Sequence, residues 1–239
     1  MRSRIDRGAT RGPATWHRPN AYRVRMRNDW IPASAAAFVT GAMALAFGSL
    51  LLPSGSSTSD TLQVARNQDG RWLAAAVIFF IAAVALTLGL PAMLSVFDRR
   101  GRTLGTLSAV VLAVGFLGIA GYAMLIVFLR SIALETPLTG AELDKAVHEA
   151  GLTVFLYGWI AAFYLGELLL GAALLRAGTA QRWVPIALFA HVASAVVGPA
   201  LPRAVSSALV LLVAVGFAGV AIEAVTRDNE RRKLLPVAL

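Results

Sequence analysis

Long apolar runs separated by short polar segments dominate this chain. Each run has about 18 residues or more, which is enough for an α-helix to cross a hydrocarbon core of about 30 Å. The pattern predicts an all-α fold, a polytopic transmembrane helix bundle of six spans, because a helix satisfies its own backbone in lipid. The predicted spans are residues 30–52, 72–97, 104–129, 152–175, 183–200 and 205–226.

The polar segments divide the chain into three parts. Residues 1–29 combine arginine with glycine and proline and show no apolar period, which predicts a disordered basic tail. Residues 30–226 form the transmembrane domain, and residues 227–239 form a second basic tail. Met26 is an alternative start, since Met-Arg-Asn-Asp-Trp leads directly into the first apolar run.

Two of the polar segments between spans have different predicted structures. Thr139-Gly-Ala-Glu142 has the pattern of a capping box, and apolar residues follow it at helical spacing. We therefore expect a short amphipathic helix over residues 140–150, lying on the outer surface. The segment 54–71, rich in serine, threonine and aspartate, predicts an outside loop.

Glycine and proline mark two spans for close packing or bending. Gly89-Leu-Pro91 predicts a kink near the end of the second span. Gly115, Gly118 and Gly121 recur every three residues in the third span, which favours a surface for helix packing over a dimer motif.

Composition and charge set the orientation. Apolar residues make up 57% of the chain, and the mean hydropathy is +0.68. The net charge of +9 would suit nucleic acid, but 17 of the 22 basic residues lie in segments 1–29, 98–102, 176–182 and 227–233. This alternation follows the positive-inside rule and predicts a multi-pass protein of the cytoplasmic (inner) membrane with both termini in the cytoplasm.

The same charges define the expected partners. The lipid bilayer is one partner, and the basic tails are expected to touch anionic lipid. No nucleic-acid partner is needed to explain the basicity, and no pattern specifies an oligomeric state. The basic residues are nearly all arginine and alanine is abundant, which is typical of a GC-rich bacterial source.

Two ionisable side chains interrupt the apolar spans. Glu167 lies nine residues before Arg176, and His191 lies nine residues after Arg182. Both therefore lie roughly 13 Å from the same end of their helices. Because the turn between these spans is short, we expect antiparallel neighbours with a hydrogen bond between Glu167 and His191 within reach.

A helical wheel gives each of these two spans one stripe of polar or small residues. The stripes consist of Tyr157, Tyr164, Glu167 and Gly171, and of Ala187, His191, Ser194 and Gly198. We predict a polar cluster of Glu167, His191, Tyr164 and Ser194, in which the two hydroxyls complete a buried network. The cluster is either a clasp that fixes helix register or a protonatable site.

Other chemistries lack the residues they need. The chain has no cysteine, which excludes thiolate metal sites and disulfides. His191 is the one intramembrane histidine, whereas a bis-histidine haem needs two. The string that begins at His148-Glu149 fails as a zinc motif because residue 152 is leucine. We therefore predict no catalytic residue, no cofactor and no metal, and a protein that is not an enzyme.

The sequence of residues 166–197 is similar to that of a known protein family. Gly-Glu-Leu-Leu-Leu-Gly-Ala-Ala-Leu-Leu-Arg-Ala-Gly, followed by Gln-Arg-Trp-Val-Pro and an apolar run, resembles a family of small uncharacterised bacterial six-helix integral membrane proteins. The resemblance implies the six-span plan and brings no activity or ligand residues. Two functions stay open: a non-catalytic membrane component, or a small transporter or proton-linked permease that uses Glu167 and His191.

Overall fold

The computed structural model describes residues 30–53, 57–135 and 139–234, and the regular structure in these ranges is entirely helical. This confirms the all-α class. The helices, numbered in chain order, are α1 Trp30–Leu51, α2 Thr58–Asn67, α3 Asp69–Ser95, α4 Arg102–Glu135, α5 Gly140–Val147, α6 Ala150–Ala177, α7 Trp183–Val197, α8 Arg203–Leu209 and α9 Leu211–Leu234. A 3₁₀ turn, Gly198–Ala200, follows α7.

Five helical segments in the described ranges are long and apolar enough to cross a membrane. They are α1, α3, α4, α6 and the segment Val205–Leu234, which contains most of α8 and all of α9. The predicted span 183–200 corresponds to α7, an apolar helix of 15 residues, and the turn after it. Helix α9 runs past residue 226 to Leu234, where Arg227 and Arg232 pair with carboxylates one turn earlier.

Six of the helices pack side by side in a closed ring. Around the ring the order is α1, α3, α4, α6, α7 and α9, and α9 returns to α1. Neighbours in the ring run antiparallel, so the start of α1 and the end of α9 lie at one end of the bundle, called here the terminal end. Helices α2 and α5 lie at the opposite end, called here the loop end.

Four phenylalanines from four helices meet in the middle of the ring. Phe38 of α1 stacks on Phe217 of α9 with ring centroids 4.7 Å apart. Phe116 of α4 and Phe163 of α6 each lie 6.4 Å from the same Phe217 ring. Burial of large aromatic rings stabilises the bundle and closes its centre.

Glycines bring α4 and α6 into close contact. A Cβ at Gly118 would lie 2.4 Å from the Cβ of Trp159, and one at Gly115 would lie 2.7 Å from the Cα of Phe163. The rings of Trp159 also cover Gly121. The predicted packing surface is therefore confirmed, and its partner is an aromatic face of the same chain.

Helix α3 continues through Pro91, and a side chain of α1 forms hydrogen bonds with the backbone groups next to the proline. Proline has no N–H and disturbs the hydrogen bonds of the turn around it. The hydroxyl of Ser34 donates to the carbonyl of Leu88 at 2.7 Å and accepts from the amide of Ala92 at 3.0 Å. The side chain from α1 thus stands between two backbone groups that an unbroken helix would pair directly.

The loop end holds two short helices, of which the sequence predicted one. The capping box of α5 is confirmed, and hydrogen bonds from the backbone and hydroxyl of Thr139 hold the pKa of Glu142 below its ordinary value. The helix ends at Val147. The segment 54–71, predicted as an outside loop, contains α2, which was not predicted, and Ser57 caps this helix through the amide of Asp60 at 3.1 Å.

Candidate functional site

The two ionisable side chains predicted to meet are hydrogen-bonded in the middle of the bundle. His191 Nδ1 lies 2.8 Å from Glu167 Oε2. Glu167 is fully buried, and only 6% of His191 is exposed. The hydrogen bond expected from their matching depth is therefore present.

The short turn between α6 and α7 places Glu167 and His191 at the same depth in the bundle. Helix α6 ends at Gly178, whose φ of 63° is a left-handed conformation that glycine adopts without strain. The amide of Gly178 bonds the carbonyl of Leu174 at 2.9 Å, which closes the helix before the chain reverses. Pro185 lies in the first turn of α7, where a missing N–H costs nothing.

Helix α4 packs against α6 at Gly166, the residue before Glu167. The hydroxyl of Ser108 donates to the carbonyl of Gly166 at 2.9 Å in a fully buried contact. A Cβ at Gly166 would lie 2.7 Å from the Leu112 side chain, so glycine lets α4 approach next to Glu167. The fully buried Glu167 therefore lies next to the contact between α4 and α6 and bonds His191 of α7.

The pair leaves hydrogen-bonding capacity unused. Glu167 Oε1 is buried and has no hydrogen-bond partner among the described residues. His191 uses Nδ1 for Glu167, and no group in the described ranges bonds its Nε2. A carboxylic acid and an imidazole that each keep a free atom can take up or release a proton or bond a third group.

The predicted hydroxyl network does not form around the pair. Ser194 donates to the carbonyl of His191 at 2.6 Å. This bond lies within α7, so the hydroxyl does not bond the imidazole. Tyr164 contacts the pair through its ring, which lies 5.6 Å from the imidazole, and makes no hydrogen bond to either side chain. Tyr157, assigned to the same stripe, is 65% exposed and does not join the buried pair.

A cavity of about 320 Å³ lies between the pair and the loop end. His191 and Phe163 are among its lining residues, and Phe79, Tyr122 and Trp159 contribute to its aromatic wall. Hydroxyl-bearing residues of the lining are Ser49, Tyr122 and Tyr164, and the residues not yet named are aliphatic or glycine. Sequence reasoning missed this cavity, because its wall comes from six separate parts of the chain.

No metal site accompanies the pair. Within residues 30–53, 57–135 and 139–234, no three histidine, aspartate or glutamate side chains lie close enough together to hold an ion. What the arrangement offers is a buried acid, an imidazole bonded to it, and a mostly apolar space on the other side of that imidazole.

No protein family, curated protein or solved structure matches this chain. The resemblance carried by residues 166–197 therefore extends only to the helical architecture, with several apolar helices as in a membrane protein. The function has to be argued from the geometry of the candidate site alone.

Proposed function

We propose that this chain is a six-span protein of the cytoplasmic membrane, with both termini in the cytoplasm, that binds a small ligand without catalysing a reaction. The observation that carries the proposal is the 320 Å³ cavity that ends at His191. A concave, mostly apolar space with few polar groups is typical of small-molecule sites. The ligand is a largely apolar molecule with one hydrogen-bonding group, which meets His191 Nε2.

The geometry of α7 supports six spans. Its 15 residues and the following turn of three extend about 28 Å at 1.5 and 2.0 Å per residue, close to the thickness of a hydrocarbon core. The Glu167–His191 bond aligns α7 antiparallel beside α6, and α9 packs on its other side. A chain that returned across the membrane in this way would have both ends on one side.

The distribution of charge supports the orientation. Basic residues cluster at the terminal end, where Arg99, Arg100 and Arg102 follow α3 and Arg176 ends α6. Helices α2 and α5 at the loop end carry aspartate and glutamate besides Arg66 and Lys145. By the positive-inside rule the terminal end faces the cytoplasm, and the cavity lies in the outer half of the bundle.

Cysteine accessibility tests the cavity and the orientation together. Because the chain has no cysteine, a single introduced thiol is the only reactive one. Ile119 lines the cavity, and Leu117 on the same helix is 64% exposed on the outer face of the bundle. We expect Ile119→Cys to react with a membrane-impermeant methanethiosulfonate added outside intact cells, and Leu117→Cys to stay unreactive in lipid.

Every other outcome contradicts part of the proposal. If Ile119→Cys is unreactive from both sides, the cavity is not open to either aqueous phase, and the proposed ligand site in the outer half of the bundle fails. If it reacts only in inverted vesicles, the orientation is reversed. Equal reaction of both variants shows that position 117 is not lipid-facing, and the assignment of spans fails.

The unused atoms of the pair favour a second candidate, a proton-linked permease. Glu167 Oε1 is buried without a partner among the described residues, and the imidazole joins the carboxylate to the cavity. A charged group at this depth is costly, so a change in its protonation state would alter helix packing around it. Such coupling is what a proton-driven carrier requires.

Proton movement tests this candidate. In proteoliposomes that contain a pH-sensitive dye, the wild type is expected to dissipate an imposed pH gradient, and Glu167→Gln and His191→Ala are expected to lose at least about 90% of that rate. Ser194→Ala serves as a matched control, because its hydroxyl bonds only its own helix. Folded Glu167→Gln protein that keeps the wild-type rate would eliminate the permease.

A further inference from the structure

Two groups of arginines at the terminal end differ in their partners. The first group pairs with carboxylates: Arg227 and Arg231 bond the two oxygens of Asp98 at 3.1 and 2.7 Å, and Arg232 bonds Asp228 at 2.8 Å. Asp98 is thus occupied by α9, although it precedes two further arginines in sequence.

The second group consists of Arg99, Arg100 and Arg176. None of these guanidinium groups has an ion pair or hydrogen bond within the part of the chain that the structure describes. All three line one groove of about 640 Å³. Three like charges around a single groove repel one another unless an anion lies between them.

The bend of the chain between α3 and α4 brings the three arginines together. Gly101 has a φ of 81°, which allows a sharp turn that other residues adopt only with strain. A Cβ at Gly101 would lie 3.0 Å from the carbonyl oxygen of Ala173 and 3.0 Å from Ala177. The bend therefore packs against the last turn of α6, next to Arg176, and glycine is required for that contact.

The groove has an apolar wall as well as a cationic one. Leu104 and Leu107, in the first two turns of α4, line it together with Thr103. Leu107 is 49% exposed, and it lies on a helix long and apolar enough to cross a membrane. The arginines occupy the ends of two such helices, where hydrocarbon gives way to water.

We infer that this groove binds the phosphate head group of an anionic phospholipid. Guanidinium groups bond phosphate oxygens in pairs, and three of them match the charge of one or two phosphates. The leucines give the acyl chains an apolar surface directly beneath the head group, which a free phosphate ion would not use. This inference is independent of the cavity at His191 and of any ligand bound there.

Native mass spectrometry of the full chain in detergent tests the inference. We expect the wild type to retain phosphatidylglycerol or cardiolipin in preference to phosphatidylcholine. Replacing Arg99, Arg100 and Arg176 together by Gln should weaken anionic-lipid binding roughly a hundredfold, at about fivefold for each arginine. Binding of phosphatidylcholine should stay unchanged, and circular dichroism should report an intact helical fold.

Two control experiments establish whether the groove itself holds the lipid. Replacing Arg2, Arg4 and Arg7 by Gln removes the same charge from the basic N-terminal segment and should weaken anionic-lipid binding much less than the groove variant does. If it weakens binding as much as the groove variant does, net charge or the tail holds the lipid and the inference fails. The inference also fails if inorganic phosphate displaces the lipid while Leu107→Ser binds as the wild type does, because the groove then takes a soluble anion.

Discussion

Two of the buried polar contacts between helices, one joining α1 to α3 and the other joining α6 to α7, differ in how completely their hydrogen-bonding groups are paired. At the α1–α3 contact, the Ser34 hydroxyl both donates and accepts, and the backbone groups of Leu88 and Ala92 are paired by it. At the α6–α7 contact, Glu167 Oε1 has no partner among the described residues although it is buried. A contact whose role is only to hold helices together has no reason to leave a buried carboxylate oxygen unpaired.

The helices also pack more closely at the α1–α3 contact than at the α6–α7 contact. A Cβ at Gly89 would lie 2.7 Å from the Cα of Phe38, so α1 and α3 touch through backbone. At the α6–α7 contact a Cβ at Gly171 would lie 2.9 Å from the ring end of Phe189, which can turn aside. The first contact is rigid and complete, and the second is looser and borders a cavity. These two differences are consistent with a structural role for the first contact and a functional role for the second.

The largest expected effect is that of Gly89→Ala. The added methyl group would collide with the backbone of Phe38, which cannot move without separating α1 from α3. We expect the free energy of unfolding to fall by about 1–3 kcal/mol, as for other overpacked contacts. The measurement is reversible unfolding in mixed micelles, followed by circular dichroism.

Gly158→Ala is the matched control for that experiment. Gly158 also lies in a membrane-spanning helix, but a Cβ there would meet nothing within 4 Å. Because alanine favours the helix, the control should be neutral or stabilising by up to about 1 kcal/mol. Equal destabilisation by both substitutions would show that α1 and α3 are not in backbone contact.

A smaller effect is expected from Ser34→Ala, and the smallest from Glu167→Gln. Ser34→Ala removes the partner of two backbone groups in lipid and should cost about 1–2 kcal/mol. Glu167→Gln keeps the shape of the side chain and a hydrogen bond to His191, so we expect a change below about 0.5 kcal/mol. The same unfolding measurement ranks the two variants.

The opposite order, with Glu167→Gln more destabilising than Ser34→Ala, would contradict the proposed difference between the two contacts. If the pair were a charged contact that maintains the fold, neutralising one buried partner should lower the free energy of unfolding by about 3–5 kcal/mol. If Glu167→Gln is the more destabilising substitution, the pair is structural and the unused oxygen carries no function. His191→Gln provides the check, because it retains a donor that can still reach Glu167.

The candidate site was predictable as a contact but not as a cavity. Glu167 and His191 lie equally far from the basic residues that flank a short turn, and this depth argument needs no tertiary information. The roles expected of Tyr164 and Ser194 failed for a local reason, since a serine hydroxyl in a helix readily bonds a carbonyl one turn earlier. The helix α2 was missed although Ser57 and Asp60 have the spacing of a helix cap.

The sequence by itself determined the apolar helices and the depth of the Glu167–His191 pair, because both follow from hydrophobic period and helical rise along one stretch of chain. Only the tertiary structure decided how the ring closes, with Phe38 against Phe217 and Ser34 inserted beside Pro91. It also decided that Arg99 and Arg100 face Arg176 rather than Asp98. These contacts join residues far apart in sequence, and they depend on which helix faces meet, which no local pattern specifies.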